Sequence, residues 1–245
     1  MVRPAVQLPP DREYDRSLAD LIERAATAGF EGVEFTAGVE DADVHAVRSV
    51  MAETGLSAVG AHVSIARLGE DTEATLGFYR GLGCERFVVP GLPPERFESK
   101  RAVETATQRL DGLAVALRGY GVSVHYHDRG YAFVDIGGRT AYEYLIDCTE
   151  HVGFDVDAAS ALSAGLDPPD LRRRVAGRGP LFHPTDYDGT AGTRVPLGDG
   201  DLDLAACVDA HAAAGGEWLV HECADGPGAF DDALADAVGL IEACL

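Results

Sequence analysis

Lysine is all but missing from this chain: Lys100 is the single one, and every other basic residue is an arginine. Against 20 basic residues stand 41 acidic ones, giving a formal net charge of -21. A field of that sign repels phosphate backbones, and no basic run offsets it, so nucleic acid is excluded as an expected partner. Long apolar runs are absent too; none approaches the roughly 20 residues of a membrane span. Met1-Val2-Arg3-Pro4-Ala5-Val6 has no basic-then-apolar profile of a signal peptide, so a cytoplasmic address is expected. The five cysteines, Cys84, Cys148, Cys207, Cys223 and Cys244, show no Cys-x-x-Cys spacing and are too sparse for a disulfide scaffold. They are expected to be reduced, with Cys223 a small residue at a strand end.

The acidic excess carries its own expectation. Self-repulsion destabilises a compact chain at low ionic strength, and a Debye length of about 3 Å in roughly 1 M salt removes that penalty. Composition therefore points to adaptation to high salt, as in halophilic archaea, with salt-dependent folding.

At 245 residues, 46% of them hydrophobic and with no linker, the chain suits one large globular domain covering 1–245. Short β-branched or aromatic runs alternate with longer stretches of helical periodicity, eight times over. The runs fall at 5–8, 32–35, 57–62, 86–89, 122–127, 152–157, 180–183 and 217–222. Helical stretches follow at 17–28, 42–53, 71–82, 102–120, 140–148, 169–175, 202–214 and 230–244. Gly29, Gly55, Gly83, Gly121 and Gly215 stand just past helices, where a left-handed cap is favoured. Eight strand-helix units predict a parallel (β/α)8 barrel, with function on the rim at the strand C-termini. The loops at 128–138 and 184–200 are long for that rim and suit ligand covers.

Three of the runs end on a metal-ligand type: Asp157, His183 and Glu222. Asp157 taken alone also reads as a helix cap, His183 as a satisfied barrel histidine, and Glu222 as a carboxylate needing a partner at the rim. Matching positions on three consecutive strands favour a shared cation. His125 and His127 have the same strand parity and are expected to face one side together, for metal or substrate contact. His62 and Glu34, at the ends of the third and second strands, are expected to line the same pocket. Asp186 is expected to orient a ligand or substrate. His45, His151 and His211 read as surface residues.

Several motifs resemble the sugar phosphate isomerase/epimerase group of xylose isomerase-like barrels. They are Gly29-Phe30-Glu31-Gly32-Val33-Glu34-Phe35, Val124-His125-Tyr126-His127-Asp128, Asp157 with Gly165-Leu166-Asp167-Pro168, His183-Pro184-Thr185-Asp186, and Pro196-Leu197-Gly198-Asp199-Gly200. The resemblance spans nearly the whole chain. It implies one divalent ion, Mn, Co, Zn or Mg, held by Glu, Asp, His and Glu from the last four strands, and it assigns Asp157, His183 and Glu222. The fourth position falls near Ala132, in Arg129-Gly130-Tyr131-Ala132-Phe133, and alanine cannot ligate. His125, His127 or Asp128 then substitutes, with His127 placed in the ligand set, or the site is weakened.

The implied chemistry is proton abstraction beside a carbonyl with a metal-stabilised enediolate. Glu222 is the candidate base, and His127 or Asp128 serves the opposite face. A phosphate site would want glycine amides beside positive charge, yet Gly198-Asp199-Gly200-Asp201 is acidic. An unphosphorylated polyol, sugar or sugar acid is therefore expected, with Arg129 and Arg194 as contacts. The competing expectations are a lyase or dehydratase on an inositol-like or keto-acid substrate and a non-catalytic sugar-binding barrel. A DNA-repair phosphodiesterase of the same barrel type would want a basic groove that this chain lacks. The resemblance also implies a homo-oligomer.

Overall fold

Residues 1–8, 16–36, 39–222 and 230–245 are described by a computed structural model. The apolar runs form strands that are buried on both faces, as a parallel sheet enclosed by helices requires. In chain order the elements are β1 (Arg3–Gln7), α1 (Leu18–Ala28), β2 (Gly32–Phe35), α2 (Val44–Thr54), β3 (Ser57–His62), α3 (Ile65–Glu70), α4 (Thr72–Gly81) and β4 (Arg86–Val89). There follow α5 (Lys100–Arg118), β5 (Ser123–His127), α6 (Ala141–Asp147), β6 (Val152–Asp157), α7 (Ala158–Ser163), α8 (Pro168–Arg174) and β7 (Leu181–His183). The chain finishes with β8 (Asp186–Asp188), β9 (Thr193–Val195), α9 (Leu204–Ala213), β10 (Trp218–Glu222) and α10 (Phe230–Glu242).

The sheet closes in the order β1-β10-β7-β6-β5-β4-β3-β2, a parallel (β/α)8 barrel. Local sequence explains the helix ends. Ser17 caps α1 by accepting from the Asp20 N–H at 3.2 Å, and Gly29 closes it at φ 108°, a left-handed conformation open to glycine. Thr140 and Glu143 form a reciprocal capping box at the start of α6.

Three segments differ from the sequence expectation. α3 precedes α4, begun by a Ser64 cap, and α7 starts on Asp157 itself. The long seventh loop folds back as an antiparallel hairpin, β8 against β9, with Tyr187 opposite Arg194. Three-residue strands of mixed polar character carry no readable period, so nothing in the pattern announced it.

Strand parity sorts the side chains into two cores. Val33, Tyr126, Phe154, Val156, Phe182 and Leu219 join Leu21, Leu110 and Leu145 between sheet and helices. Ala5, Val59, Val88, Leu181, Trp218 and Val220 form a smaller cluster within the barrel, and the Arg3 guanidinium sits 3.7 Å above the Trp218 ring. Burial of each large apolar side chain contributes about 1.5–3 kcal/mol. Above this plug the barrel interior turns polar. Among the described residues, no helix is long and apolar enough to cross a membrane. Cys84, Cys148, Cys207 and Cys244 are free thiols, whereas Cys223 lies outside the described residues.

Candidate active site

Barrel register sets the level of the polar layer. Gln7 pairs with both Glu222 and Glu34, and Asp157 pairs with His183, so side chains from β1, β2, β6, β7 and β10 meet at the C-terminal mouth. His62 and His127 join them from β3 and β5. The His127 ring centroid is 4.5 Å from that of His183 and 5.3 Å from that of His62.

Contacts within the layer are close. Glu222 Oε1 lies 2.9 Å from His183 Nδ1 and 3.6 Å from His127 Nε2, and His127 Nε2 is 3.8 Å from Asp157 Oδ2. Glu34 Oε2 accepts from the Gln7 amide at 2.8 Å and lies 3.3 Å from His62 Nε2 and 3.5 Å from His183 Nε2. His127, His183 and Glu222 bring ligand atoms within 4.8 Å of one another, as do Glu34, Asp155 and His183. Asp157 stands beside the first group with one oxygen already used: its Oδ1 accepts from the Ser160 N–H at 2.6 Å and caps α7. The cap and the strand-end placement thus coexist in one carboxylate.

Several polar atoms here are buried without a hydrogen-bond partner: both ring nitrogens of His127, Nε2 of His183, Asp128 Oδ2, Glu34 Oε1 and Asp155 Oδ2. Such atoms cost free energy wherever they stay unpaired, and this concentration of them in one layer suits a bound cation.

Charge states divide the layer. Burial opposes the charged form of His183, but the carboxylates of Glu34 and Glu222 outweigh it and raise its pKa to about 9. Burial likewise pushes Glu34 up, while His62 and His183 pull it down to about 2. Glu222 is also desolvated, yet His183, His127 and Arg194 hold it well below the ordinary carboxylate range. His127 goes the other way from His183, since burial and the neighbouring His183 charge keep its ring neutral. Burial first and repulsion from Asp157 second push the Asp128 carboxyl well above the usual carboxylate range. Its Oδ1 accepts the Asp157 N–H at 2.9 Å.

Not every expected residue arrives. His125 has the predicted parity but sits a layer lower, with Nδ1 3.0 Å from Asp155 Oδ1. It borders a recess of about 350 Å³ at the opposite end of the barrel, with Ser123, Gly177 and Glu217. Gly153 makes room for it, since a Cβ there would collide with the His125 ring. Parity fixes the face and not the depth. Asp186 lines the cleft, but its oxygens are taken up by the loop, accepting the N–H groups of Tyr187 (2.8 Å), Leu202 (3.0 Å), Gly198 (2.9 Å) and Gly200 (3.1 Å). It holds the seventh loop together. His45 and His151 are exposed, but His211 is fully buried, with its Nδ1 accepting from Arg172 Nε at 2.7 Å. Helical position alone said nothing about which side His211 faced.

Arg194, carried on β9, places NH2 2.9 Å from Asp157 Oδ2 and NH1 3.4 Å from Glu222 Oε2. With Arg129, whose Nε donates to the Pro90 carbonyl at 3.2 Å, it borders a cleft of about 950 Å³. Pro184, Val195, Leu197, Leu240 and Glu222 also line that cleft. Two members of the polar layer escaped the sequence reading. Gln7 shares parity with Ala5 and ends the first strand, and Asp155 shares parity with Asp157. Both were readable by counting in twos.

A profile of the xylose isomerase-like TIM barrel family matches residues 22–243. The chain belongs to that family. Among solved structures it is similar to a sugar phosphate isomerase/epimerase from Parabacteroides distasonis ATCC 8503, with TM-score 0.78 and 17% identity over 99% of this chain and 95% of that one. It is similar also to an L-ribulose 3-epimerase (TM-score 0.71, 16% identity, 100% and 96% covered). A third is the probable 3-DHS dehydratase AsbF of Bacillus anthracis (TM-score 0.75, 12% identity, 98% and 99% covered). No curated protein matches the chain. At these identities the likenesses establish the barrel, and chemistry has to be argued from the site.

Proposed function

We propose that this protein is a divalent-metal-dependent isomerase or epimerase of a small carbohydrate or sugar derivative. The reading is carried by the convergence of His127, Asp157, His183 and Glu222 at the barrel mouth, with both buried His127 ring nitrogens left without a hydrogen bond. His127 ends β5, just before the segment in which Ala132 withholds a carboxylate, and its neutral ring is a competent ligand. An ion of Mn, Co, Zn or Mg held by these four side chains would supply Lewis-acid polarisation of a substrate carbonyl and its neighbouring hydroxyl.

The chain's own groups provide the proton chemistry. Glu222, ionised, is placed to take a proton from the carbon beside that carbonyl. The Asp128 carboxyl, pushed above the usual carboxylate range, has an unpaired Oδ2 and is the candidate for returning a proton to the other face, with His127 next to it in the chain. His62, Glu34 and Gln7 line the floor that orients hydroxyl groups, and Arg129 and Arg194 face the cleft through which a substrate enters. The acidic seventh loop supports an unphosphorylated sugar, polyol or sugar acid, with Arg129 and Arg194 as its contacts in the cleft. The acidic, nearly lysine-free composition supports a protein that works at high salt, and assembly as a homo-oligomer belongs to the same reading.

Metal content after purification in molar KCl tests it, together with Asp157→Ala and Glu222→Ala. Bound divalent ion in the wild type, weakened at least about tenfold in both variants, is expected. An ion-free wild type, or unchanged affinity in both variants, overturns the site. Incorporation of solvent deuterium beside the carbonyl of a ketose panel tests the reaction.

One observation favours a second reading, dehydration. A buried carboxyl pushed well above the usual carboxylate range, with one oxygen unpaired, as in Asp128, is the kind of group that can protonate a departing hydroxyl. A product lighter by one water would select it. Sugar binding with neither isotope incorporation nor water loss would select a non-catalytic barrel.

A further inference from the structure

Arg194 is not a member of the barrel. It belongs to a hairpin of three residues per strand, and it crosses to the two outermost carboxylates of the site. Asp157 has one oxygen left once Oδ1 has capped α7, and that oxygen, Oδ2, is the one Arg194 holds at 2.9 Å. On the Glu222 side the guanidinium approaches Oε2 at 3.4 Å, while Oε1 faces His183 and His127. Ser160 Oγ accepts a further bond from the same NH2 at 3.4 Å.

A guanidinium in this position does electrostatically what a cation between Asp157 and Glu222 would do. It balances carboxylates that burial would otherwise leave uncompensated, in a layer that also contains Glu34 and Asp155. It cannot yield by losing its proton, because arginine stays charged at any physiological pH. It can yield only by moving. Arg194 lines a cleft of about 950 Å³ that His127 does not line, and that volume leaves room for the side chain.

We propose that Arg194 is a resident counter-cation: it neutralises Asp157 and Glu222 in the metal-free protein, competes with a divalent ion for them, and is released into the cleft when the ion binds. This rests on the metal reading above. A released guanidinium then faces whatever occupies the cleft, so cation binding and exposure of an anion- or hydroxyl-binding group on the hairpin become one event. Linkage makes this reciprocal, since whatever draws Arg194 into the cleft strengthens cation binding by the same factor.

Titration calorimetry of Mn²⁺ into the wild type, Arg194→Met and Arg194→Lys, all in molar KCl, tests the competition. Removing the guanidinium is expected to tighten Mn²⁺ binding about tenfold, with the lysine variant between the two. Without metal, Arg194→Met should melt below the wild type, and saturating Mn²⁺ should close that gap. Amide exchange over 193–195 should speed up when Mn²⁺ binds the wild type. Equal affinities in wild type and Arg194→Met overturn the proposal while leaving the metal site standing. Weaker binding in Arg194→Met also overturns it, because the arginine would then support the ligand set. No uptake by any of the three removes both the site and the competition.

Discussion

Nδ1 of His183 lies 2.9 Å from Oε1 of Glu222, inside a layer where the same ring faces Glu34 at 3.5 Å through Nε2. One imidazole therefore answers two carboxylates, from β2 and β10, the strands on either side of β1. That makes it the electrostatic centre of the mouth.

The pH dependence of the metal-free protein follows from this arrangement. Glu34 is lowered from 4.5 to about 2, so its contribution is present above pH 4.5 and lost as pH falls through about 2. His183 is raised from 6.5 to about 9, so its contribution is full below pH 6.5 and lost as pH rises through about 9. Thermal melts at constant molar salt should show a plateau between pH 4.5 and 6.5 with a fall on each side. His183→Gln should lose roughly 3 kcal/mol, by removing the positive charge shared by Glu34 and Glu222, and should lack the alkaline fall. A variant that keeps that fall would assign it to another group.

Asp186 should behave as a structural residue of the seventh loop. Four backbone N–H groups converge on its carboxylate, from Tyr187, Gly198, Gly200 and Leu202. Asp186→Ala leaves them to find water, and a loss of about 3 kcal/mol is expected in denaturant titrations if the loop unfolds with the barrel. If the loop opens separately, faster amide exchange confined to 186–202 is the outcome. Neither change would mean that the loop is held by other contacts.

Gly153 and His125 should be coupled. A methyl group at 153 meets the His125 imidazole, which is held in place by its own partner, Asp155. Gly153→Ala should cost about 2 kcal/mol or more, and much of that cost should vanish in the Gly153→Ala, His125→Ala double variant. Additive losses would show that the two do not share space.

Salt should govern folding. With a formal net charge of -21, the melting temperature followed by circular dichroism is expected to rise from dilute buffer to molar KCl as repulsion is screened. Equal values in both would show that local pairs, such as Arg174 with Asp147 at 2.6 Å, already balance the field.

The barrel was legible because its signals are local. A run such as 152–157, buried throughout, needs only β-branched and aromatic residues to declare itself, and Gly29 declares its left-handed φ by being glycine. The strand-end carboxylates and imidazoles were legible for the same reason, since parity and chain order place Asp157, His183 and Glu222 on one rim. Parity carries no depth, however, and it could not say that His125 stops one layer short while His127 reaches the mouth. Register across the barrel decides that, and register is a property of eight strands together. The hairpin 186–195 lay beyond reach for a related reason. Its shape depends on Asp186 gathering amides up to 16 residues further along the chain.

The sequence by itself determined the fold, the acidic surface and the set of groups available for chemistry, because these follow from residue type and short-range spacing. Tertiary structure decided which of those groups share space. It set His183 between Glu34 and Glu222, gave Asp186 to the loop, and brought Arg194 from a hairpin to Asp157 and Glu222. Distances between residues far apart in the chain come only from closing the barrel, and the strength of charge-charge contacts depends on those distances and on the water excluded around them.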